Sequence, residues 1–310
     1  LFALPPSEGL GRVVASHASL ELSRLELREF DDGEYKVRPL ASVRGHDVFV
    51  LCSLHGGAAE SVNDRTCRAL FFIGALCDAG AARVTLVAPY LAYSRKDRRT
   101  NPSDPVTSRY VAALVEAAGA DRVMTLDVHN RAAFENAFRI PTEHLETTPL
   151  FVARCQALGE GPLAVVSPDP GGFHRAEALR DALELSTGTT VELAMLGKHR
   201  KGGAIRTEAF VGDVEGRVAV IVDDIIVSGT TLVRAADTCR KRGASAVHAM
   251  ATHGLFSAAA GTTLATQAID TITICDGVSP DRMDLGPSRG KLAVISIAPL
   301  LAHAITTLHD

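Results

Sequence analysis

The sequence predicts an α/β protein of two tandem domains, each a mostly parallel sheet flanked by helices, and three observations predict it. The chain has 310 residues, and at roughly 150 residues per domain that length suggests two units, each able to bury a core without disulfide staples. Apolar runs of strand length recur with turn residues after them. Segments of helical spacing lie between these runs and close on glycines. Strands that alternate with helices imply right-handed crossovers and put ligands beyond the carboxyl ends of the strands.

Taken in order, the first buried strand is DVFVL at 47–51, followed by a helix over 61–79 that Gly80 stops. RVTLVAP at 83–89 is the next strand, a helix over 107–118 ends before Gly119, and RVMTL at 122–126 is the third strand. Between 140 and 161 the periodicity is broken by Pro141, Pro149, Gly159, Gly161 and Pro162. The boundary therefore falls there, with residues 1–146 as the N-terminal domain and 147–298 as the C-terminal one. The second domain has strands at 163–166, 218–222 and 246–250, with a helix over 230–242 stopped by Gly243. A weak internal echo points to duplication: RVTLVAPYLAYSRKD, a helix and ADRVMTLDVHN share a layout with RVAVIVDDIIVSGTT, a helix and ASAVHAMATHG. Residues 299–308 carry apolar side chains at helical spacing, a closing helix able to pack back on the N-terminal domain.

Composition excludes several function classes. The chain is 46% hydrophobic and 22% charged, with a formal charge of −4, which disfavours disorder and a nucleic-acid-coating role. Aromatics are 5% and Trp is absent, so few rings exist to stack bases. Six cysteines at 52, 67, 77, 155, 239 and 275 form no C-x-x-C pair, which fits core thiols in a reducing cytoplasm better than a metal cluster or redox dithiol. The apolar run at 69–77 is too short to span a bilayer, so no membrane partner is expected.

The sharpest local signal is VAVIVDDIIVSGTT at 218–231. A strand ends in Asp223 and Asp224, and a loop of small hydroxylated residues opens a helix. Backbone N–H groups around Ser228, Gly229 and Thr230, with the hydroxyls of Ser228, Thr230 and Thr231, suit a phosphate at the positive helix end, and the two acids suit sugar hydroxyls. An isolated S-G-T-T also fits a well-capped helix, but two carboxylates directly after an apolar strand need partners, which favours a ligand site. Other segments stay open on the residues alone. YSRKDRR, with Arg95, Lys96 and Asp97, suits triphosphate oxygens or a salt-bridged surface equally. GKHRKGG at 197–203 has bases and glycines without a large apolar anchor, and reads as an exposed mobile loop. FDDGE at 30–34 alone is a plain turn, and His129 at the end of DVH alone is more often a satisfied structural histidine.

The 223–231 loop resembles the ribose-phosphate-binding loop of type I phosphoribosyltransferases and their diphosphokinase relatives. FDDGE, YSRKD, DVH, SPDPGG and GKHRKGG occur in one order along nearly the whole chain. As a set they resemble the ribose-phosphate diphosphokinase family, also called phosphoribosyl pyrophosphate synthetases. SRYVAALVEAAGADRVMTLDVHN, FRIPTEHLE and KGGAIRTEAFVGDVEG look more like its class II branch than its phosphate-activated class I. The resemblance implies two tandem type I phosphoribosyltransferase-like domains. It also implies transfer of the diphosphoryl group of MgATP to the C1 hydroxyl of ribose 5-phosphate, giving 5-phosphoribosyl 1-pyrophosphate and AMP. Lys198 and Arg200 would be the catalytic pair closing over the transferring group. Phe30, Asp32, Glu34, Arg95, Lys96, Asp97 and His129 would contact ATP. Asp169, Asp223, Asp224, Ser228, Gly229, Thr230 and Thr231 would contact ribose 5-phosphate. His129 and Asp169 would hold Mg2+ or its waters. The 30–34 turn would reach ATP on a neighbouring subunit, which implies a homo-oligomer.

Several positions depart from the family pattern. Lys96 stands where Gln is common, Pro170 where class I has His, and Val227 where class I has an Asp. Ser103 replaces a frequent class I arginine connected with phosphate regulation, which weighs against activation by phosphate and inhibition by ADP. Two other functions compete: a phosphoribosyltransferase, which shares the 223–231 loop but has no need of FDDGE or the DVH and SPD motifs, and a non-catalytic regulatory relative, which Lys198 and Arg200 argue against.

Overall fold

The computed structural model describes residues 1–57, 60–159, 161–201 and 204–309, with the side chains of 198–201 and 204–208 outside the description. The chain divides into two compact units. Unit 1 gathers Leu1–Leu145, Gly277–Ser279 and Ser296–Asp310, and unit 2 gathers Glu146–Asp276 and Pro280–Ile295.

Unit 1 opens with β1 (Phe2–Ala3), α1 (Glu8–His17) and a hairpin of β2 (Leu25–Glu29) and β3 (Tyr35–Pro39). It continues through β4 (Asp47–Leu51), α2 (Val62–Asp78), β5 (Arg83–Ala88), α3 (Thr107–Ala117), β6 (Arg122–Leu126), α4 (Arg131–Ala137) and β7 (Thr142–Leu145). Among the described residues, five strands form a parallel sheet in the order β1-β4-β5-β6-β7, while β2 and β3 pair only with each other. The three predicted strands are β4, β5 and β6; β5 stops at Ala88 because Pro89 has no N–H to continue a ladder. α2 buries Ala69, Phe72, Ile73 and Leu76, an i, i+3, i+4, i+7 stripe, in a core shared with Val48, Val50, Val84 and Leu86. Its start is fixed by a capping box. Ser61 Oγ accepts from the Asp64 N–H at 3.2 Å, and Asp64 Oδ2 accepts from the Ser61 N–H at 3.0 Å, worth about 1 kcal/mol.

Unit 2 contains α5 (Thr148–Gln156), β8 (Leu163–Ser167), α6 (Phe173–Thr187), β9 (Glu192–Lys201), β10 (Ala204–Val211), β11 (Val218–Ile226) and α7 (Thr230–Lys241). β12 (Ala246–Gly254), α8 (Ala260–Thr263), β13 (Thr271–Cys275) and β14 (Leu292–Ile295) complete it. Its sheet runs β10-β9-β8-β11-β12-β13-β14, parallel except where β9 meets β10. From β8 the chain moves one way to β9 and β10, then returns to the other side of β8 for β11. The strand order therefore reverses between β8 and β11, the kind of point at which open α/β sheets bind ligands. α9 (Ala298–His309) returns to unit 1 and packs on α1, where Arg83 bridges the Asp47 carboxylate and the Leu308 carbonyl.

Two expectations are corrected. The 197–203 segment is not a loop through its first part: residues up to Lys201 continue β9 and pair with β10, with Lys198 opposite Glu208 and Arg200 opposite Ile205. A ladder that satisfies its own backbone groups does not need the apolar anchor whose absence suggested a loop. The strand at 218–222 also runs on to Ile226. Its neighbour β12 reaches Gly254 and supplies partners for Asp223, Ile225 and Ile226, so Asp223 and Asp224 lie within the strand rather than at its end. No helix among the described residues is long and apolar enough to cross a membrane.

Candidate active site

The reversal in unit 2 collects the residues expected around the sugar. β8 pairs with β11 only as far as Val166 opposite Ile221, whereas β12 follows β11 to Ile226. Asp223 and Asp224 therefore stand where β8 has ended and one flank of β11 is open. The Asp224 N–H donates to Asp223 Oδ1 at 2.9 Å. Arg175, in the first turn of α6, places Nη1 3.8 Å from Asp223 Oδ1 and 3.7 Å from Asp224 Oδ1. The Asp223 and Asp224 side chains are 20% and 6% exposed. Burial pushes the Asp223 carboxyl up to about 8, aided by the side-chain hydrogen bond and charge of Asp224, while Arg175 and the Asp224 backbone N–H oppose the rise.

Asp169 follows β8 and caps a short 3-10 turn, Pro170–Gly172. Its Oδ1 accepts from the N–H groups of Gly171 at 2.8 Å and Gly172 at 3.1 Å. Among the described residues no hydrogen bond reaches Oδ2. Pro170 suits the first position of that turn, where an N–H would have no intrahelical partner. Gly229, the N-cap of α7, has φ +80°, a conformation that favours glycine, and a Cβ there would lie 2.5 Å from Leu264 Cδ2, which would have to shift. Ser228 Oγ and Thr230 Oγ1 are 3.0 Å apart, flanking a helix start that has no side-chain cap. The Thr230 N–H donates to Ser228 Oγ at 3.4 Å, and the later first-turn amides are the kind of donors an anion binds at a helix start. The side chains of Lys198 and Arg200 lie outside the described residues; their backbone belongs to β9, which neighbours β8.

In unit 1 the neighbouring strands β5 and β6 bring two predicted loops together. Asn130 Nδ2 donates to Asp97 Oδ2 at 2.7 Å, tying YSRKD to DVHN, and Asn130 Oδ1 also caps α4 through the Ala133 N–H at 3.1 Å. The Lys96 carbonyl accepts from the N–H and hydroxyl of Ser108, which leaves the exposed side chains of Arg95 and Lys96 on the rim. Both loops turn through left-handed residues, Tyr93 at φ +61° and Asp127 at φ +36°, a strain that recurs at functional sites. His129 is exposed beside Asn130. Phe30, Asp32 and Glu34 sit on the separate hairpin turn. There the Phe30 N–H donates to the Glu34 carbonyl at 2.7 Å and the Arg28 guanidinium lies 5.0 Å from the centre of the Phe30 ring. Among the described residues no hydrogen bond or ion pair joins that turn to Arg95, Lys96 or Asp97. Sequence reading missed Arg175 and Asn130. Asn130 carried a usable signal, an Asn directly before a helix; Arg175 carried none, because tertiary folding alone brings it to Asp223.

Residues 1–119 match the family model described as the N-terminal domain of ribose phosphate pyrophosphokinase, and residues 204–310 match the phosphoribosyl synthetase-associated domain. Ribose-phosphate pyrophosphokinase 1 of Streptococcus pyogenes serotype M1 is 35% identical over 316 aligned residues, covering 100% of this chain and 94% of that one. The chain belongs to the ribose-phosphate pyrophosphokinase family. A second pyrophosphokinase, from Streptococcus pneumoniae strain ATCC BAA-255 / R6, is 34% identical over the same shares of each chain. The crystal structure of phosphoribosylpyrophosphate synthetase from Mycobacterium smegmatis superposes with a TM-score of 0.88 at 32% identity, covering 99% of this pyrophosphokinase chain and 97% of that one. The likeness extends over both units, which a relative built on the 223–231 loop alone would not give.

Proposed function

We propose that this member of the pyrophosphokinase family transfers the diphosphoryl group of MgATP to the C1 hydroxyl of ribose 5-phosphate, releasing 5-phosphoribosyl 1-pyrophosphate and AMP. The observation that carries the reading is the acidic pair and anion-ready helix start at the strand-order reversal of unit 2, on a chain whose full length matches pyrophosphokinases. Ser228, Gly229, Thr230 and Thr231 take the 5-phosphate through first-turn amides and hydroxyls. Asp223 and Asp224 take the ribose hydroxyls. With its carboxyl pushed up, Asp223 keeps a proton near neutral pH, so the pair both donates to and accepts from a sugar diol.

Arg95, Lys96, Asp97 and His129 bind the nucleotide, with Phe30 stacking on adenine and Asp32 and Glu34 accepting from its amino group. In an oligomer that turn serves a neighbouring subunit's ATP. Lys96 adds a phosphate-seeking charge where the family commonly has a neutral amide. Among the described residues no cluster of three or more His, Cys, Asp or Glu could cage a metal by itself. That fits Mg2+, which keeps waters and substrate phosphates as partners and needs only one or two carboxylates. Asp169, with Oδ1 fixed by two amides, offers the ion or its waters a carboxylate oxygen, His129 offers an imidazole nitrogen to the nucleotide's metal, and such an ion would supply charge neutralisation on the phosphates. Lys198 and Arg200 add cations to the transferring group. Such transfers depend on positioning and charge more than on covalent chemistry.

Incubation with MgATP and ribose 5-phosphate, with AMP as the readout, tests the reading. AMP formed only when both substrates are present is the expected result. Diphosphate released from phosphoribosyl pyrophosphate and a base, without AMP formation from the first pair, would identify a phosphoribosyltransferase instead.

A further inference from the structure

The 30–34 turn sits at the tip of a two-stranded hairpin that pairs with no other strand among the described residues. Isolated hairpins are marginal in water, so the position of this turn depends on what its strands dock against. Val37, at the middle rung opposite Leu27, is buried in the unit 1 core, and Leu25, at the end far from the turn, is partly buried against that core. At the turn end two side chains of α2 dock the hairpin: the Phe71 ring lies 5.8 Å from the Tyr35 ring, and Arg68 contacts both strands. Arg68, on α2 and 17% exposed, donates from Nη2 to Glu29 Oε2 at 3.0 Å, and its guanidinium carbon lies 4.8 Å from the centre of the Tyr35 ring. Glu29 and Tyr35 are cross-strand partners and form the last rung before the turn. Arg68 thus holds both strands at the point where the turn leaves them. Below it, Nε lies 3.2 Å from Oε1 of Glu60 as an ion pair without a hydrogen bond, and the other Glu60 oxygen accepts from Arg65 Nε at 3.1 Å. Glu60 is 10% exposed and Arg65 6%, so these charges are screened from solvent. The guanidinium fork is what permits all three contacts at once, a geometry an ammonium cannot copy.

We propose that Arg68 is a positioning residue for the nucleotide, setting the pose of the turn that carries Phe30, Asp32 and Glu34 while touching no substrate itself. The inference rests on the reading of that turn as an adenine contact.

Steady-state kinetics on the full chain, with each substrate varied against saturating amounts of the other, test it. Arg68→Met keeps the aliphatic stem and removes the fork. It should raise the KM for ATP about tenfold and leave the KM for ribose 5-phosphate and kcat within about twofold of wild type. Arg68→Lys should recover part of the loss through the retained charge. Glu29→Gln alters a side chain that is 61% exposed, so the fold tolerates it, and should raise the KM for ATP about threefold. Phe30→Ala separates the two layers of the argument. If Phe30→Ala raises the KM for ATP but neither Arg68→Met nor Glu29→Gln does, the positioning role is refuted and the turn assignment stands. Should Phe30→Ala itself leave that KM unchanged, the turn assignment fails and the positioning role with it. Equal losses toward both substrates in the Arg68 and Glu29 variants would mark a general structural role and overturn the proposal.

Discussion

At the scale of single residues, the burial of the acidic pair makes stability depend on pH. Asp223 binds a proton in the folded chain that the unfolded chain has already lost, because its folded pKa is raised to about 8. Its contribution to stability is full below about pH 4 and is lost as pH climbs toward about 8, since the unfolded state binds fewer protons across that window. Asp223→Asn keeps the volume and a hydrogen bond but cannot ionise. Urea denaturation at about pH 5 and about pH 8 should show wild type losing on the order of 2 kcal/mol more than the variant between them. Activity should fall in the variant at both values. Parallel losses in the two proteins would show that Asp223 titrates as an ordinary carboxylate. Asp223, Asp224 and the 228–231 segment were legible because acids after an apolar run and small hydroxylated residues before a helix are local patterns. Arg175 was not, since the sequence separates it widely from the acids it faces.

At the scale of elements, legibility followed burial. β4 and β6 match their expected bounds because strands buried on both faces read as plain apolar runs. The hairpins were missed. Their strands alternate or carry charge, so apolar content is a poor guide, although each held a turn signal: Asp32-Gly33 between LELRE and YKVRP, and Gly202-Gly203 between ELAMLGKHRK and AIRTEAFV. For β9 and β10 the difference matters to mechanism. A ladder running through Lys198 and Arg200 fixes the backbone spacing of the two cations, and alternate positions on one strand share a face. In the proposed reaction both act on the transferring group. Replacing either by Ala should lower kcat by about a hundredfold or more while the KM for ATP changes little, the pattern of an interaction made mainly in the transition state. Initial-rate measurements decide it, and a matched loss in kcat and ATP affinity would move both residues to ground-state binding.

At the scale of the whole molecule, the candidate residues sort by unit. The residues proposed for phosphate and ribose lie in unit 2 and those proposed for triphosphate and adenine in unit 1, and Lys198 and Arg200 lie in unit 2. FDDGE, YSRKD, DVH and SPDPGG each close or follow a strand, a local pattern the sequence displays, whereas GKHRKGG lies largely within β9. Spatial joins such as Asp97 to Asn130 were not readable, since they depend on which strands lie side by side. The division has a consequence for ligand protection. A ligand that binds only the folded state stabilises it by about 2.7 kcal/mol at a hundred times its Kd, and backbone amides nearest the contacts slow their exchange first. Hydrogen exchange with ribose 5-phosphate alone should protect segments 169–175 and 223–232. A non-hydrolysable ATP analogue with Mg2+ should protect 93–97 and 127–130, together with the 30–34 turn. Protection of 93–97 by ribose 5-phosphate alone, with 223–232 unchanged, would reverse the assignment of substrates to units. It would also make the helix start at Gly229 a capping device with no ligand.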